Sequence, residues 1–297
     1  MAEEKGSIEM VKYQNRFIEV LSYVEANLDE DLDIEKLCQL AYLSKYHFHR
    51  QCSAFFGMSV MSLVKLLRLK RAAYQLAYRS ETKVIDVALA CGYESHEGFC
   101  RAFKKIFNQS PSGFSLAPDW TPWHSNYEPI LKLRTKIMTD KININVEIVE
   151  FPETLVATME HRGSPDLLGN TINKFIEWRK ENRFPPSKSK TFNLLYDDPN
   201  VTAPDEYRLD LCCSIECEVE ESPEGIVNKV IPKGRCAVIR HTGSDDYLSV
   251  LINFLYSKWL EESHYELRDF PIFLERVCFF PEYSKNEVIT DIYLPIK

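Results

Sequence analysis

Two arginines 51 residues apart, Arg50 and Arg101, stand in matching surroundings: Ser44, Phe48, Arg50 and Phe56 are echoed by Ser95, Phe99, Arg101 and Phe107. A guanidinium held at the same place in two copies of a unit suits bidentate contact with guanine O6 and N7. Lys104 and Lys105, just after the second arginine, suit phosphate. A different chemistry sits at Glu275, a carboxylate inside the apolar run P-I-F-L-E-R-V-C-F-F. Period two puts Phe273, Glu275 and Val277 on one strand face. A carboxylate with aromatic neighbours could attract a cation or a hydrogen-bond donor. The residues also leave open an exposed glutamate, or one paired with Arg276 or Arg240.

Positioning two arginines alike requires two copies of one local structure. Ile34-x-x-Leu37-Cys38 is echoed by Val84-x-x-Val87-Ala88, each read as the support helix of a helix-turn-helix. In the first unit Ser44 caps a helix with Phe48, Cys52 and Phe55 or Phe56 inward, leaving Tyr46, His47, His49 and Arg50 outward. The second turns through Cys91-Gly92-Tyr93, where glycine can take positive φ. It re-enters helix near Ser95, with Phe99, Phe103 and Phe107 inward and His96, Glu97, Cys100 and Arg101 outward. Helical stripes at Phe17, Val20, Leu21, Val24 and Leu28, and at Leu66, Leu69, Ala73 and Leu76 after a cap at Ser59, complete an all-α domain over residues 8–115.

Charge follows the same division. The chain has 297 residues and a formal net charge of −8, yet residues 44–118 hold 11 Lys or Arg against 4 Asp or Glu. A basic block in an acidic chain is an electrostatic footprint for nucleic acid. Residues 116–140, with three prolines and little periodicity, read as a linker. Alternation then takes over. Within 141–297, MEHRGS (159–164) is echoed by IRHTGS (239–244), Trp178 by Trp259, and DLCCSI (210–215) by DIYLPI (291–296), at offsets of 80 or 81. The element order is β-α-β-β twice, an α+β domain with a seam between pseudo-two-fold repeats. The 81-residue offset brings Tyr196 to the position of Val277, so Tyr196 should face the seam that Glu275 faces. His161 and His241, in the repeated H-x-G-S, read as strand-end structural residues.

The nine cysteines form no C-x-x-C and lie in apolar patterns, which reads as buried free thiols. No metal or cofactor is expected. The polar N-terminus and the lack of any long apolar run predict a cytoplasmic protein with no membrane partner.

Residues 12–114 resemble the AraC/XylS family of transcription regulators, through LSKYHFHRQCSAFFGMS (43–59) and VIDVALACGYESHEGFCRAFKKIFNQSPSGF (84–114). The resemblance implies that Tyr46, His49 and Arg50, then His96, Glu97 and Arg101, meet the major groove of double-stranded DNA. It further implies RNA polymerase as protein partner, and both helices in one chain imply a monomer on DNA. Asn108 departs from the usual Gly, Cys38 from Ala, and Phe114-Ser115 from Tyr-Arg; the last removes a possible phosphate contact. Residues 142–297 resemble the GyrI-like small-molecule-binding domain, through LLYDDP (194–199), YRLDLCCSI (207–215), IPKGRCAVIRHTGSDDYLSVL (231–251) and FPIFLERV (270–277). This implies an effector, cationic or aromatic, lined by Glu275 and Tyr196, then Trp178, Phe273 and Tyr247. Val277 departs from a common Tyr. The function implied is effector-controlled transcription regulation. The alternatives are hydrolysis of small electrophiles with Glu275 as general base, and constitutive DNA binding that recruits a protein; the chain has no G-x-S-x-G, H-E-x-x-H or P-loop.

Overall fold

Across residues 16–28, 30–79, 82–128, 130, 144–199, 201–220, 222, 225–278 and 288–297, the computed structural model divides the chain into two units, Met1–Ile142 and Asn143–Lys297. The part of the first expected helix before residue 16 lies outside the described residues. The first unit is helical: α1 (residues 16–26), α2 (Ile34–Ala41), α3 (Lys45–Phe56), α4 (Val60–Tyr78), α5 (Val84–Ala90), α6 (His96–Phe107), α7 (Pro111–Leu116) and α8 (residues 121–128). The repeat extends to the caps. α3 and α6 have the same length 51 residues apart, and each ends on a left-handed residue, Gly57 at φ 69° and Asn108 at φ 56°. Asparagine substitutes for glycine there because its short polar side chain tolerates that conformation. The next helices start from Ser59 and Ser110, whose hydroxyls accept from Ser62 N and Gly113 N at 3.2 and 3.1 Å. Ser95 caps α6 through Gly98 N, whereas Ser44 holds the equivalent place without a side-chain capping bond.

Helix α4 packs against α3, α5, α6 and α7 and so joins the phenylalanine clusters of the two helix-turn-helix units. Phe17, Phe48, Phe56, Phe99, Phe103, Phe107 and Phe114 are all fully buried. Arg68, on α4, donates to Leu28 O and Glu30 O at 2.8 Å each and lies against the second turn. Gly92 in that turn has φ +76°, and a Cβ there would lie 3.1 Å from Arg68 Nη1. Gly92→Ala is therefore expected to cost about 1–2 kcal/mol from the left-handed backbone alone, read as a lower Tm.

The stretch 116–140, expected as a linker, is helical over residues 121–128. Trp120, Trp123, Tyr127 and Ile130 are buried in the helical core. Proline does not break the helix here, because Pro122 lies in the first turn of α8, where its missing N–H costs nothing. Residues 131–140 lie outside the described residues.

The second unit is one antiparallel sheet with helices on one face. Its strands are β1 (Glu147–Phe151), β2 (Thr154–Arg162), β3 (Thr191–Leu195), β4 (Arg208–Ser214), β5 (Ile226–Ile231), β6 (Gly234–Thr242), β7 (Ile272–Cys278) and β8 (Ile289–Pro295). Helix α9 (Leu168–Glu181) follows β2; α10 (Leu248–Phe254), a π turn (Leu255–Trp259) and α11 (Leu260–Ser263) follow β6. The spatial order is β1-β6-β8-β7-β3-β4-β2-β5. Exchanging each strand for its counterpart in the other repeat reverses this order onto itself, so a pseudo-two-fold axis lies between β3 and β7. There Asn193 pairs with Leu274, its own equivalent 81 residues on. Each expected β-α-β-β repeat carries one further leading strand. Those strands are exchanged, β1 pairing with β6 and β5 with β2.

The change of offset from 80 to 81 has a structural seat. α9 and α10 begin at Leu168 and Leu248, 80 apart, whereas β3 and β7 begin at Thr191 and Ile272, 81 apart. The π turn Leu255–Trp259 lies in this interval, and a π turn is how a helix absorbs one inserted residue.

Among the described residues no single helix is long and apolar enough to cross a membrane. α3 and α4 reach that length only as a pair bent by 50°, with their apolar residues in the helical core. All nine cysteines are free; six are buried, Cys100 and Cys278 are half-buried and Cys217 is exposed, against the expectation of burial. Burial pushes the Cys52 thiol up to about 12, so it stays protonated.

Candidate DNA interface and carboxylate site

The outward faces of α3 and α6 carry every residue expected to meet DNA. Tyr46, His49 and Arg50 on α3, and His96, Glu97, Arg101, Lys104 and Lys105 on α6, are all exposed. Among the described residues no carboxylate pairs with Arg50, Arg101, Lys104 or Lys105, which leaves the guanidinium and ammonium groups available to an external anion. The His96 ring lies 3.6 Å from Cys100 Sγ through Nε2. The 51-residue offset also exposes an asymmetry. Where α6 has Lys104 and Lys105, α3 has Ser53 and Ala54, so basic residues follow the shared arginine only in the second helix.

On the sheet, strand pairing sorts the nominated ligand residues between two faces. Glu275 pairs with Phe192, and Phe192 with Cys212, so these share the face opposite the helices. Phe192, Leu194, Phe273 and Cys212 form an apolar floor there, with Phe151, Tyr196 and Tyr293 packed against it. Phe273 stacks on Tyr293 at 4.9 Å and meets Phe151 edge-on at 4.9 Å.

Glu275 is 8% exposed. Its Oε1 accepts from Lys190 Nζ at 2.8 Å and its Oε2 from the Tyr293 hydroxyl at 3.2 Å. Burial first, then the Glu275 charge, pushes the Tyr293 phenol up, so it stays a donor to the carboxylate. Across the β7–β8 ladder Glu275 faces Asp291, whose carboxylate takes a two-pronged bond from Arg240 at 2.8 and 2.7 Å. Arg240 and Arg276 were the alternative partners for Glu275; Arg240 pairs with Asp291 and Arg276 with Asp245.

Tyr196 lies on the same face in the other repeat, as expected, but its hydroxyl is engaged. It donates to Asp210 Oδ2 at 2.9 Å, and burial followed by the Asp210 charge pushes the phenol up to about 12. Asp210 is fully buried and also accepts from Arg162 at 3.0 Å and Lys229 at 2.7 Å; Lys229 further bonds Glu160. Arg162, Arg208 and Lys229 stand 5.6–5.9 Å from the Tyr196 ring, so its π face already has cationic partners. This end is a closed, neutralised network.

Two nominated residues are on the wrong face. Trp178 packs with Met159, Leu211 and Cys213 between α9 and the sheet, away from Glu275. Tyr247, in the turn after β6, lies 5.7 Å from the ring of His241. His241 alternates with Arg240 on β6 and so points to the helix face, and Tyr247 follows it. Both histidines are strand-end structural groups, their Nε2 atoms bonding Ser164 O at 3.1 Å and Ser244 O at 2.9 Å.

Residues not nominated complete the site: Lys190, Tyr293, Asp291 and Arg240. Asp210 and Asp291 had a visible signal, an aspartate at the same place in both copies of an otherwise apolar strand. Lys190, just before β3, had none. Among the described residues no cluster of three His, Cys, Asp or Glu could hold a metal ion.

Residues 144–297 match the family described as the GyrI-like small molecule binding domain, and residues 37–116 match a helix-turn-helix domain. YgiV, a probable transcriptional regulator of Escherichia coli strain K12, is 35% identical over 156 residues, covering 52% of this chain and 98% of that protein. YbfP, an uncharacterized HTH-type transcriptional regulator of Bacillus subtilis strain 168, is 35% identical over 102 residues, 34% of each chain. Among solved structures, a probable AraC family transcriptional regulator from Rhodopseudomonas palustris is 30% identical with a TM-score of 0.33, covering 35% of this chain and 97% of that one.

Proposed function

The chain belongs to the GyrI-like small-molecule-binding family, and from that premise we propose a DNA-binding transcriptional regulator controlled by a cationic small molecule seated at Glu275. The regulator half of the reading rests on the two matched helices α3 and α6, with Arg50 and Arg101 exposed at the same repeat position. Each would enter the major groove, about one helical turn, ~34 Å, apart, so that one chain reads both half-sites and binds as a monomer. RNA polymerase is the protein partner in this reading.

The effector half rests on Glu275, a buried carboxylate whose closest cation, Lys190, has a side chain 63% exposed. Without that mobile ammonium, Glu275 and Asp291 face only Arg240, which leaves one negative charge over. An aromatic floor of Phe273 and Tyr293 beside a net negative carboxylate suits a cation with an apolar body. The Asp210 end, already neutralised by Arg162 and Lys229, offers no such vacancy.

Arg50→Ala and Arg101→Ala are each expected to weaken specific binding by about 1–3 kcal/mol and to relax base preference at one position. Because α6 carries the extra lysines, Lys104→Ala and Lys105→Ala should weaken all sequences alike and flatten the salt dependence by about one ion each. Gel shifts across a salt series on specific and random duplexes test this. Equal losses on both duplexes for the arginine variants would exclude base reading by those residues.

A further inference from the structure

Glu275 and Lys190 form an asymmetric pair. The carboxylate is fixed on a central strand, 8% exposed and oriented from behind by Tyr293. The ammonium comes from the edge of β3 on a side chain 63% exposed. Its main chain is pinned, since Lys190 N donates to Ser214 Oγ at 2.8 Å and Ser214 N donates back to Lys190 O at 2.9 Å. A fixed anchor carrying a four-carbon flexible stem places the ammonium close to Glu275 while leaving it free to swing into water.

We propose that Lys190 is a tethered competitor, occupying the place on Glu275 Oε1 that a ligand's cation takes. This rests on the cationic reading of the Glu275 site. A tethered group competes at an effective concentration set by its linker, in the millimolar range for a short flexible one. The pair thereby sets a threshold. A monovalent cation enters by replacing one ammonium with another, so its charge is matched and Lys190 is released to solvent. A neutral molecule that displaces Lys190 strands a buried carboxylate, and an anion meets that carboxylate directly. Lys190 is in this sense a specificity-determining residue: it sets the concentration at which a cation is sensed and turns away uncharged compounds of the same shape.

The test is calorimetric titration of the full chain with benzyltrimethylammonium, for wild type, Lys190→Met, Lys190→Arg, Glu275→Gln and the double variant Lys190→Met/Glu275→Gln. Methionine keeps an apolar stem and removes the charge. Lys190→Met should bind the cation roughly two- to fivefold more tightly, the equivalent of one solvated ion pair. Lys190→Arg should stay near wild type, and the gain should vanish in the Glu275→Gln background. Wild-type binding that needs Glu275 but is unchanged or weakened in Lys190→Met overturns the competitor and leaves the cation site standing. A gain that persists without Glu275 also overturns it, because the effect then runs through another group. Absence of binding in every variant removes the cationic site and this inference with it.

Discussion

A fragment ending at Pro118 is expected to lose the native helical fold, whereas one ending at Ile142 is expected to fold and to bind duplex DNA as a monomer. The shorter fragment includes both helix-turn-helix units, so a boundary drawn from the repeats alone would choose it. It deletes Trp120, Trp123, Tyr127 and Ile130, all buried in the helical core. Trp120 closes one side of that core, its ring 4.6 Å from Tyr74, 5.1 Å from Phe114 and 5.9 Å from Phe107. Trp123 stacks on Tyr127 at 4.5 Å, and Lys70 Nζ from α4 lies 4.3 Å over its ring. Gln109 holds the start of the segment, donating to Ala117 O at 3.0 Å and accepting from Asp119 N at 3.1 Å. Burial of a large apolar side chain contributes about 1.5–3 kcal/mol, so four together contribute roughly 6–12 kcal/mol as an upper estimate. A domain of this size has about 5–15 kcal/mol of net stability. Thermal melts of both fragments, with gel shifts below the transition, decide the matter. Melting temperatures within a few degrees of each other would mean that α8 docks without contributing to the cooperative unit.

The same segment shows where reading the sequence stops working. Periodicity and repetition set the register of α3 and α6, because Phe48 and Phe56 have partners 51 positions on in Phe99 and Phe107, and a wrong register would break these matches together with those of Ser44 and Arg50. α8 occurs once, and its prolines look like breaks unless Pro122 is known to stand in a first turn. In the sheet, the repeat located Glu275 and Tyr196 on one face through period-two alternation, which is a property of a single strand. Trp178 and Tyr247 belong to helix and turn, and no periodicity within α9 says against which face of a sheet it will pack. The exchange of β1 and β5 was illegible for a related reason: pairing is decided between segments some 80 residues apart, while alternation reports only on each segment by itself. Asp210 and Asp291 were legible as a repeated aspartate, but not their opposite fates. One sits in a network closed by Lys229, while beside the other Glu275 replaces an equivalent leucine, Leu194, and unbalances the charge.

That unbalanced charge carries the second large effect. Glu275→Gln is expected to remove most of the affinity for benzyltrimethylammonium while leaving DNA affinity without ligand nearly unchanged. Glutamine keeps the shape and still accepts from Tyr293, so the aromatic floor of Phe273, Tyr293 and Phe151 should persist. What disappears is the negative charge. Loss of a buried charge partner costs about 2–5 kcal/mol. The lower end applies here, because in wild type the cation gains only what remains after Lys190 is displaced. Folding should be little affected, since the partner left behind is a solvated lysine and Arg240 keeps Asp291. The same variant separates sensing from catalysis. Were Glu275 a general base toward a small electrophile, glutamine could not activate water, and turnover would collapse with the dissociation constant almost unmoved. Calorimetry paired with product analysis on an activated ester reads both quantities in one preparation. Retention of wild-type affinity and of any turnover in Glu275→Gln would rule out both roles and leave Glu275 a structural partner of Lys190 and Tyr293.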